Sequence, residues 1–292
     1  MIIAIYGKSF NDSFIPTIQH LFESLEKRDV EIIVYRPFYT YLKKQIGLKG
    51  KYDTFFKNKT RETPFDVLLS IGGDGTLLET ITIVKDSGTP ILGINTGRLG
   101  FLSHVGKDDI EVALDHLMAK EYTLDKRSLI QLETLNHAFG AENYALNELT
   151  ISKKDTFSMV TIHTYINQDY LNSYWADGLI ISTPTGSTAY NLSCGGPILV
   201  PSSENFILTP ISAHNLTVRP IVVDDKSTIT IRVEGRSSHF LAALDARSES
   251  LDCSTELTIS KAPFQINLIK LPEHNFHHTL RNKLMWGMDK RN

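Results

Sequence analysis

The first hundred residues alternate between short apolar runs and longer stretches in which apolar residues recur at three- and four-residue spacing. The short runs are almost continuously apolar, which is typical of parallel strands covered on both faces. They lie at residues 2–6, 31–35, 67–71 and 90–94. Helices are predicted at about 14–25, 77–86 and 108–118. This alternation predicts an α/β domain with a doubly wound parallel sheet.

Beyond residue 101 the pattern changes, and apart from the 108–118 helix the apolar positions alternate with a period of two, as in antiparallel strands with one buried face. Runs of this kind lie at 228–233, 239–244, 256–260 and 264–270. A final helix is predicted from Phe276 to Trp286. We therefore expect an α/β domain over 1–101, a mainly antiparallel β-rich domain over 102–272, and a C-terminal segment, 273–292, that returns to the first domain.

Composition and charge exclude several classes of protein. The 292 residues are 41% hydrophobic and 22% charged, an ordinary globular composition, and the formal net charge of −3 does not favour nucleic-acid binding. No apolar stretch approaches the roughly 20 residues that cross a bilayer, so no membrane association is expected. The two cysteines, Cys194 and Cys253, have no metal-ligand spacing, which favours a reducing, intracellular environment.

A glycine-rich loop, Gly72-Gly73-Asp74-Gly75, follows the 67–71 strand and precedes a predicted helix. Loops at the carboxyl ends of parallel strands bind ligands, and a helix N-terminus attracts phosphate. The sequence Thr76-Leu-Leu-Glu79 fits a capping box. An acid at a phosphate site is best explained as a base that takes a proton from an attacking hydroxyl. The alternative is a tight turn with a solvated Asp74.

Other nucleotide and hydrolase motifs are absent. Gly7-Lys8-Ser9 resembles the end of a P-loop, but the first glycine of that motif is replaced by Ile2. Ser187 lies outside any G-x-S-x-G elbow, and the ten histidines form no H-E-x-x-H pattern.

Two further stretches could belong to a site, and the first of them suits an uncharged polar ligand such as a nucleoside. Residues 176–198 are rich in glycine and hydroxyl groups, and Ser187 or Thr188 could cap a short helix that carries Tyr190 and Ser193. Asn147-Glu148 interrupts a strand-like stretch in which both residues are poor strand formers. A polar loop and a solvated strand edge are the alternatives.

Together, these segments resemble the NAD kinases of the bacterial type. The matching motifs appear in the order typical of that family. They are GGDGT (72–76), NTGRLGF (95–101), Asn147-Glu148 and DGLIISTPTGSTAYNLSCGGPI (177–198). GGDGT is shared with diacylglycerol-type lipid kinases, whereas the TPTGSTAY segment is much more specific to NAD kinases.

The resemblance implies transfer of the γ-phosphoryl of ATP, or of polyphosphate in some members, to the 2′-hydroxyl of the adenosine ribose of NAD, giving NADP. It places the active site between the two domains and makes Asp74 the base. Gly72, Gly73, Gly75 and Thr76 would bind phosphate. The residues that it places at NAD are Asp74, Gly75, Phe101, Asn147, Glu148, Asp177, Thr188, Ala189, Tyr190, Asn191, Leu192 and Ser193.

The same resemblance implies a divalent cation, usually Mg²⁺, held through the nucleotide phosphates and by no direct protein ligand. It also implies a homodimer or homotetramer in the cytoplasm. No arginine or lysine clamp stands beside the glycine-rich loop in the sequence, and Arg98 is the nearest candidate.

The chain departs from the family pattern at Trp175, where many relatives carry a basic residue nearby, and at Asp245-Ala246-Arg247, where D-G-Q is common. Both differences are expected to be peripheral to the chemistry. Two alternatives stay open: a lipid kinase that shares GGDGT, and a non-catalytic NAD(P)-binding sensor.

Overall fold

The structure, a computed structural model, describes residues 1–57, 65–97, 99–155, 159–272 and 274–287. The chain divides into two compact units, Met1–Lys126 with Ile266–Asn292, and Arg127–Gln265. The first unit therefore extends past residue 101, where the sequence predicted a boundary. It does so because α4 (Ile110–Ala119) contributes Ile110, Leu114 and Leu117 to the apolar core of this unit.

Strands and helices alternate through most of the first unit. They are β1 (Ile2–Gly7), α1 (Ile15–Glu26), β2 (Glu31–Tyr35), α2 (Arg36–Ile46), β3 (Asp53–Phe55), β4 (Val67–Ile71), α3 (Asp74–Val84), β5 (Ile91–Ile94), α4 and β6 (Thr123–Arg127). Within the described residues their strands and a later one, β19 (Ile266–Lys270), form a seven-stranded sheet of order β3-β2-β1-β4-β5-β19-β6. Strands β1, β2, β4 and β5 pair in parallel and are largely buried, as their apolar runs predicted.

Helix α2 and strand β3 were not predicted from the pattern. Helix α2 carries Pro37 in its first turn and ends at Gly47, whose φ of 62° lies in the left-handed region. Its buried side chains are the aromatic Phe38 and Tyr39 together with Leu42, a short apolar face among lysines. Strand β3 lies within the polar stretch 51–63, of which residues 58–63 fall outside the described part of the chain.

The chain returns to the first sheet at its end. Strand β19 (Ile266–Lys270) pairs in parallel with β5, where Leu268 is level with Ile91. The sequence had placed this run in the β-rich domain, because a short apolar run does not reveal which sheet it joins. Helix α6 (Phe276–Leu284) follows, capped by the side chain of Asn275, with Leu280 as its buried residue.

The second unit is mainly β, as predicted. Its elements are β7 (Ile130–Glu133), β8 (Tyr144–Ala145), β9 (Glu148–Lys153), β10 (Val160–Ile166), β11 (Asp169–Ala176), β12 (Gly178–Ser182), α5 (Tyr190–Ser193), β13 (Asn205–Ile211), β14 (Ile221–Asp224), β15 (Ile229–Gly235), β16 (His239–Leu244), β17 (Arg247–Asp252) and β18 (Leu257–Lys261).

Across the described residues, these strands form two sheets, of order β11-β10-β15-β18-β7-β8 and β14-β13-β12-β9-β16-β17. The pairings between named strands are antiparallel. A single apolar cluster takes side chains from both sheets, for example Ile162 from the first and Leu179 from the second. The two sheets therefore pack face to face inside this unit. In the described part of the chain, no helix has the length and apolar character needed to cross a bilayer.

Candidate active site

Helix α3 begins at Asp74, three residues earlier than the sequence predicted, so the acid of the glycine-rich loop belongs to its first turn. Gly73 is the N-cap and provides no side-chain hydrogen bond to the helix. Gly72 has a φ of 153°, and a Cβ there would lie 2.3 Å from Thr76 Oγ1. Glycine is therefore required at residue 72 both by the backbone angle and by the close approach of Thr76.

The carboxylate of Asp74 is held by the backbone of the NTGRLGF segment. Oδ2 accepts the N–H of Phe101 at 2.7 Å, and Oδ1 accepts those of Leu102 at 3.0 Å and Ser103 at 2.9 Å. A carboxylate offers about four lone-pair positions. Oδ1 uses two of them and Oδ2 one, so Oδ2 keeps a lone pair for an incoming proton. The two motifs are thus parts of one arrangement inside the first unit.

The predicted capping box is wrong. Because α3 starts at Asp74, Thr76 lies inside the first turn and cannot act as the N-cap. The backbone N–H groups at this helix end are not covered by a capping side chain. Together with the helix dipole they form a site suited to an anion such as phosphate.

Glu79 on α3 binds the side chains of Tyr6 on β1 and of Lys8 and Lys57, which follow β1 and β3. Its Oε2 accepts the Tyr6 hydroxyl at 2.5 Å and the Lys57 ammonium at 3.1 Å, and its Oε1 accepts Lys8. Burial raises the pKa of Glu79, but its bonds to Lys8, Tyr6 and Lys57 outweigh burial, and the pKa is lowered overall. Burial, and then the bond to Glu79, raise the pKa of Tyr6.

This cluster contains the cations that the sequence analysis did not find. Lys8 follows β1 and Lys57 follows β3, and both side chains reach Glu79 on the helix that begins at the glycine-rich loop. Arg98, the candidate named from the sequence, lies outside the described residues.

In the second unit, Asn147 and Glu148 stand at the start of β9 and are held by Asp245. Asp245 Oδ2 accepts the N–H of Leu146 at 2.9 Å, and Oδ1 accepts those of Asn147 at 2.8 Å and Glu148 at 3.3 Å. Asp245 has a φ of 52°, the left-handed region that Asp tolerates better than most residues. Burial raises the pKa of Asp245, and the three backbone bonds oppose that rise.

The carboxyl of Glu148 has a strongly raised pKa. Burial, and then the neighbouring charge of Asp245, raise its pKa to about 8. Among the described residues, Glu148 Oε2 is buried and has no hydrogen-bond partner. A ligand hydroxyl would satisfy this oxygen.

The hydroxyl-rich segment after β12 packs directly on this pair. The N–H of Thr183 donates to Asn147 O at 2.9 Å, and its hydroxyl donates to Leu146 O at 2.6 Å. The predicted cap is wrong, because α5 spans only Tyr190–Ser193 and its N-cap, Ala189, makes no side-chain bond. Ser187 is fully buried, and its hydroxyl donates to Pro184 O and accepts the N–H of Leu199.

Residues 188–193 differ sharply in exposure. Asn191 is 0% exposed, and its amide donates to Ser187 O and Pro197 O while accepting the Thr209 hydroxyl at 2.6 Å. Tyr190 is 44% exposed. The surroundings therefore place Asn191 inside the loop, and leave these side chains partly or fully exposed at its surface: Thr188, Ala189, Tyr190, Leu192 and Ser193.

Asp177 and Tyr190 belong to the same neighbourhood. Burial raises the pKa of Tyr190, followed by the influence of Cys194 and of the Asp177 charge. Asp177 Oδ1 forms an ion pair with Lys153 Nζ at 2.6 Å. Glu148 in turn contributes to the raised pKa of Cys194, after burial. Asp177, the 188–193 segment and Glu148 thus line one region of the second unit.

The two departures from the family pattern have different positions. Trp175 lies on the edge strand β11, is 56% exposed, and stands 5.1 Å from the ring of His214. Arg247 donates to the carbonyl oxygens of Glu142 and Tyr144, just before Asn147. The Asp245-Ala246-Arg247 stretch, which was expected to be peripheral to the chemistry, holds the backbone of Asn147 and Glu148 through Asp245 and the backbone just before them through Arg247.

A metal ion would find few ligands on the protein side. Within the described ranges, no group of three or more His, Cys, Asp or Glu residues is placed to hold one. The carboxylates at the glycine-rich loop, Asp74 and Glu79, already accept backbone N–H, hydroxyl and ammonium groups, and the remaining N–H and ammonium groups repel cations. This donor set fits a cation held by the oxygens of a bound phosphate chain.

Comparison with known proteins gives matches over both units. Residues 3–122 match the ATP-NAD kinase N-terminal domain, and residues 146–271 match the ATP-NAD kinase C-terminal domain. The chain is 47% identical to an NAD kinase of Cytophaga hutchinsonii and 48% identical to one of Flavobacterium johnsoniae, covering 100% of each pair.

A solved structure gives the same result for the fold. The crystal structure of an NAD kinase from Archaeoglobus fulgidus in complex with ATP has a TM-score of 0.75 with this chain and 26% sequence identity. The similarity covers 98% of this chain and 99% of the other.

Proposed function

Because this chain belongs to the NAD kinase family, we propose that it transfers the γ-phosphoryl of ATP to the 2′-hydroxyl of the adenosine ribose of NAD, with Asp74 as base. The observation that carries this assignment is the Asp74 carboxylate at the start of α3. It is fixed by three backbone N–H groups and keeps a free lone pair beside a helix N-terminus.

The first unit binds the phosphates of ATP and takes the proton from the 2′-hydroxyl. The N–H groups of Gly73 and Gly75 at the start of α3 bind phosphate oxygens of ATP. Thr76 contributes through its hydroxyl, because its N–H donates to Gly73 O at 3.0 Å. Asp74 Oδ2 takes the proton of the 2′-hydroxyl as its oxygen bonds to the γ-phosphorus. The bond from that phosphorus to the β-γ bridging oxygen breaks, and ADP leaves. Phosphoryl transfer depends mainly on such positioning and charge stabilisation, with one base.

The second unit binds NAD. Asn147 and Glu148 bind the adenosine portion, Glu148 through the carboxylate oxygen that has no protein partner among the described residues. Asp177 contacts the nicotinamide side, and Thr188, Ala189, Tyr190, Leu192 and Ser193 line the pocket. Asn191, first grouped with these residues, is assigned a structural role because its amide is bonded inside the loop. By family resemblance, Phe101 of the first unit is assigned to the nucleobase of NAD.

A divalent cation, Mg²⁺ by family resemblance, would be held by the phosphate oxygens of ATP and would neutralise part of their charge. Assembly as a homodimer or homotetramer and a cytoplasmic location are proposed on the same resemblance. A size-exclusion experiment with light-scattering detection tests the assembly directly.

The test of the base compares wild type with Asp74→Asn in NADP formation from NAD, ATP and Mg²⁺. We expect wild-type activity and a fall of about 10²-fold or more in the variant, the scale of losing a general base. Asp66→Asn is the matched control. Asp66 also accepts a backbone N–H, from Ile2 at 2.6 Å, and lies in the same unit away from the loop.

Each other outcome has a definite meaning. An Asp74→Asn variant as active as wild type contradicts the role of Asp74 as base. A wild type that binds NAD but forms no NADP supports the sensor alternative. The full-length NAD kinase relatives do not favour a lipid kinase, and phosphorylation of diacylglycerol in vesicles, in place of NAD, would revive that alternative.

A further inference from the structure

Two lysines, Lys8 and Lys57, meet at one carboxylate beside the glycine-rich loop. Glu79 Oε1 pairs with Lys8, and Oε2 with Lys57 and with the Tyr6 hydroxyl. The Lys57 ammonium also lies 5.0 Å from the centre of the Tyr6 ring. One carboxylate thus gathers two cations from different parts of the first unit.

The position of the cluster follows from the sheet register. Gly7 on β1 is level with Ile71 on β4, so Lys8 and Gly72 are the next residues on two neighbouring strands. On α3, Glu79 is three residues after Thr76, and residues at this spacing share a helix face. Because both ammonium groups bond to Glu79, they meet α3 about one helical turn after Gly75.

The charges in this cluster do not balance. Two ammonium groups share one carboxylate, which leaves a net positive charge. An ammonium has three N–H donors, and each lysine uses one of them on Glu79. The side chains of Lys8 and Lys57 are 55% and 29% exposed, so a ligand can reach both of them.

A purely structural role, connecting β1 to α3, would explain why these side chains are in contact. It would not explain why two lysines share one carboxylate. Partly exposed ion pairs contribute little to stability, and a second lysine would add less still. An anionic ligand at the adjacent helix N-terminus explains both the excess of positive charge and its location.

We propose that Lys8 and Lys57 bind the phosphate chain of ATP, and that Glu79 holds both ammonium groups beside the loop before ATP arrives. This proposal rests on the proposed function, since it assigns residues to the part of the same site that binds ATP, the phosphoryl donor. The two lysines would neutralise charge on the phosphates while the loop N–H groups fix their position.

The test uses Lys8→Met, Lys57→Met and the double variant in the full-length chain. Methionine keeps most of the side-chain length and removes the charge. We expect the KM for ATP to rise about tenfold or more in each single variant, the scale of one charged hydrogen bond. The KM for NAD and the thermal unfolding midpoint without ligand should change little. Lys8→Arg should retain most of the affinity for ATP.

Lys43→Met is the matched control. Lys43 is an exposed lysine of the same unit whose ammonium lies 4.7 Å from the centre of the Tyr39 ring, as Lys57 lies over Tyr6. It is on α2 and makes no bond to Glu79 in the described structure. Its removal should leave the KM for ATP unchanged.

A second readout needs no turnover. ATP without NAD should raise the unfolding temperature of wild type and of Lys43→Met, and this rise should be lost in the double variant. An unchanged KM for ATP, or a rise of both KM values with a lower unfolding temperature, would overturn the proposal. If wild type forms no NADP, the proposed function fails, and the ATP-induced shift still decides whether the lysines bind ATP.

Discussion

The carboxylate of Asp74 occupies the space that a side chain at Gly100 would need. A Cβ built at residue 100 would lie 1.8 Å from Asp74 Oδ1, closer than any real contact. The next three residues, Phe101, Leu102 and Ser103, donate their N–H groups to the same carboxylate. The glycine of one motif thus makes room for the acid of the other.

Gly100→Ala should therefore displace Asp74. We expect a loss of activity of about 10²-fold or more, similar to removal of the base, and a cost to stability of about 1–3 kcal/mol from overpacking. NADP formation and urea unfolding measure the two effects. Gly235→Ala is the control, because a Cβ there would stand 3.4 Å from Val160 Cγ1, an ordinary contact. Normal activity in Gly100→Ala would contradict the proposed placement of Asp74.

Asp245→Asn should impair the binding of NAD without affecting the binding of ATP. The amide offers one acceptor oxygen and turns N–H donors toward backbone N–H groups, so at least one bond to residues 146–148 is lost. We expect a cost of about 1–3 kcal/mol in stability and a KM for NAD raised about tenfold. The KM for ATP should stay near its wild-type value.

The control for this substitution is Asp252→Asn. Asp252 also accepts a backbone N–H, from Ser254 at 2.8 Å, but in an exposed turn. Its stability should change by less than about 1 kcal/mol. Equal effects of the two substitutions on the KM for NAD would mean that Asp245 does not position Asn147 and Glu148.

Stability should depend on pH through Glu148. Its pKa rises from 4.5 in the unfolded chain to about 8 in the folded protein, because of burial and then the Asp245 charge. The folded protein therefore binds more protons than the unfolded chain between these values, and the Glu148 contribution to stability falls as pH rises from about 4.5 to 8.

Glu148→Gln isolates this contribution, since glutamine is neutral at every pH. We measure the free energy of unfolding with urea at pH 5, 6, 7 and 8. The value for the variant minus the value for wild type should increase as pH rises. A difference that stays constant across this range would show that Glu148 titrates equally in both states.

Asn191→Ala should destabilise the loop that carries Tyr190. The substitution leaves the carbonyls of Ser187 and Pro197 and the Thr209 hydroxyl without their partner. We expect a loss of about 2–3 kcal/mol or more in the free energy of unfolding, measured with urea. Asn205→Ala removes a single bond, to Val223 O at 3.3 Å, and should cost about 1 kcal/mol. If the two variants are equally stable, Asn191 is not the structural residue proposed here.

Local sequence was sufficient for much of this protein. The apolar runs predicted β1, β2, β4 and β5, since continuously apolar strands belong to a parallel sheet covered on both faces. The period-two runs predicted the antiparallel unit, including β16 over its whole length. GGDGT could be identified because three glycines and one acid are unusual directly after a buried strand. The hydroxyl-rich segment could be identified because so many hydroxyl groups are unusual in a core. Their chemistry could be read without coordinates.

Only the tertiary structure decided which distant residues act together. Lys8, Lys57 and Glu79 meet because the strands before the two lysines, β1 and β3, lie in the same sheet as β4, which leads into α3. Asp245 reaches Asn147 because β16 pairs with β9. The sequence grouped Asn191 with the ligand residues, and its burial shows instead a side chain bonded inside the loop. Periodicity reports how one segment faces the core, whereas partners a hundred residues apart are set by strand order and register.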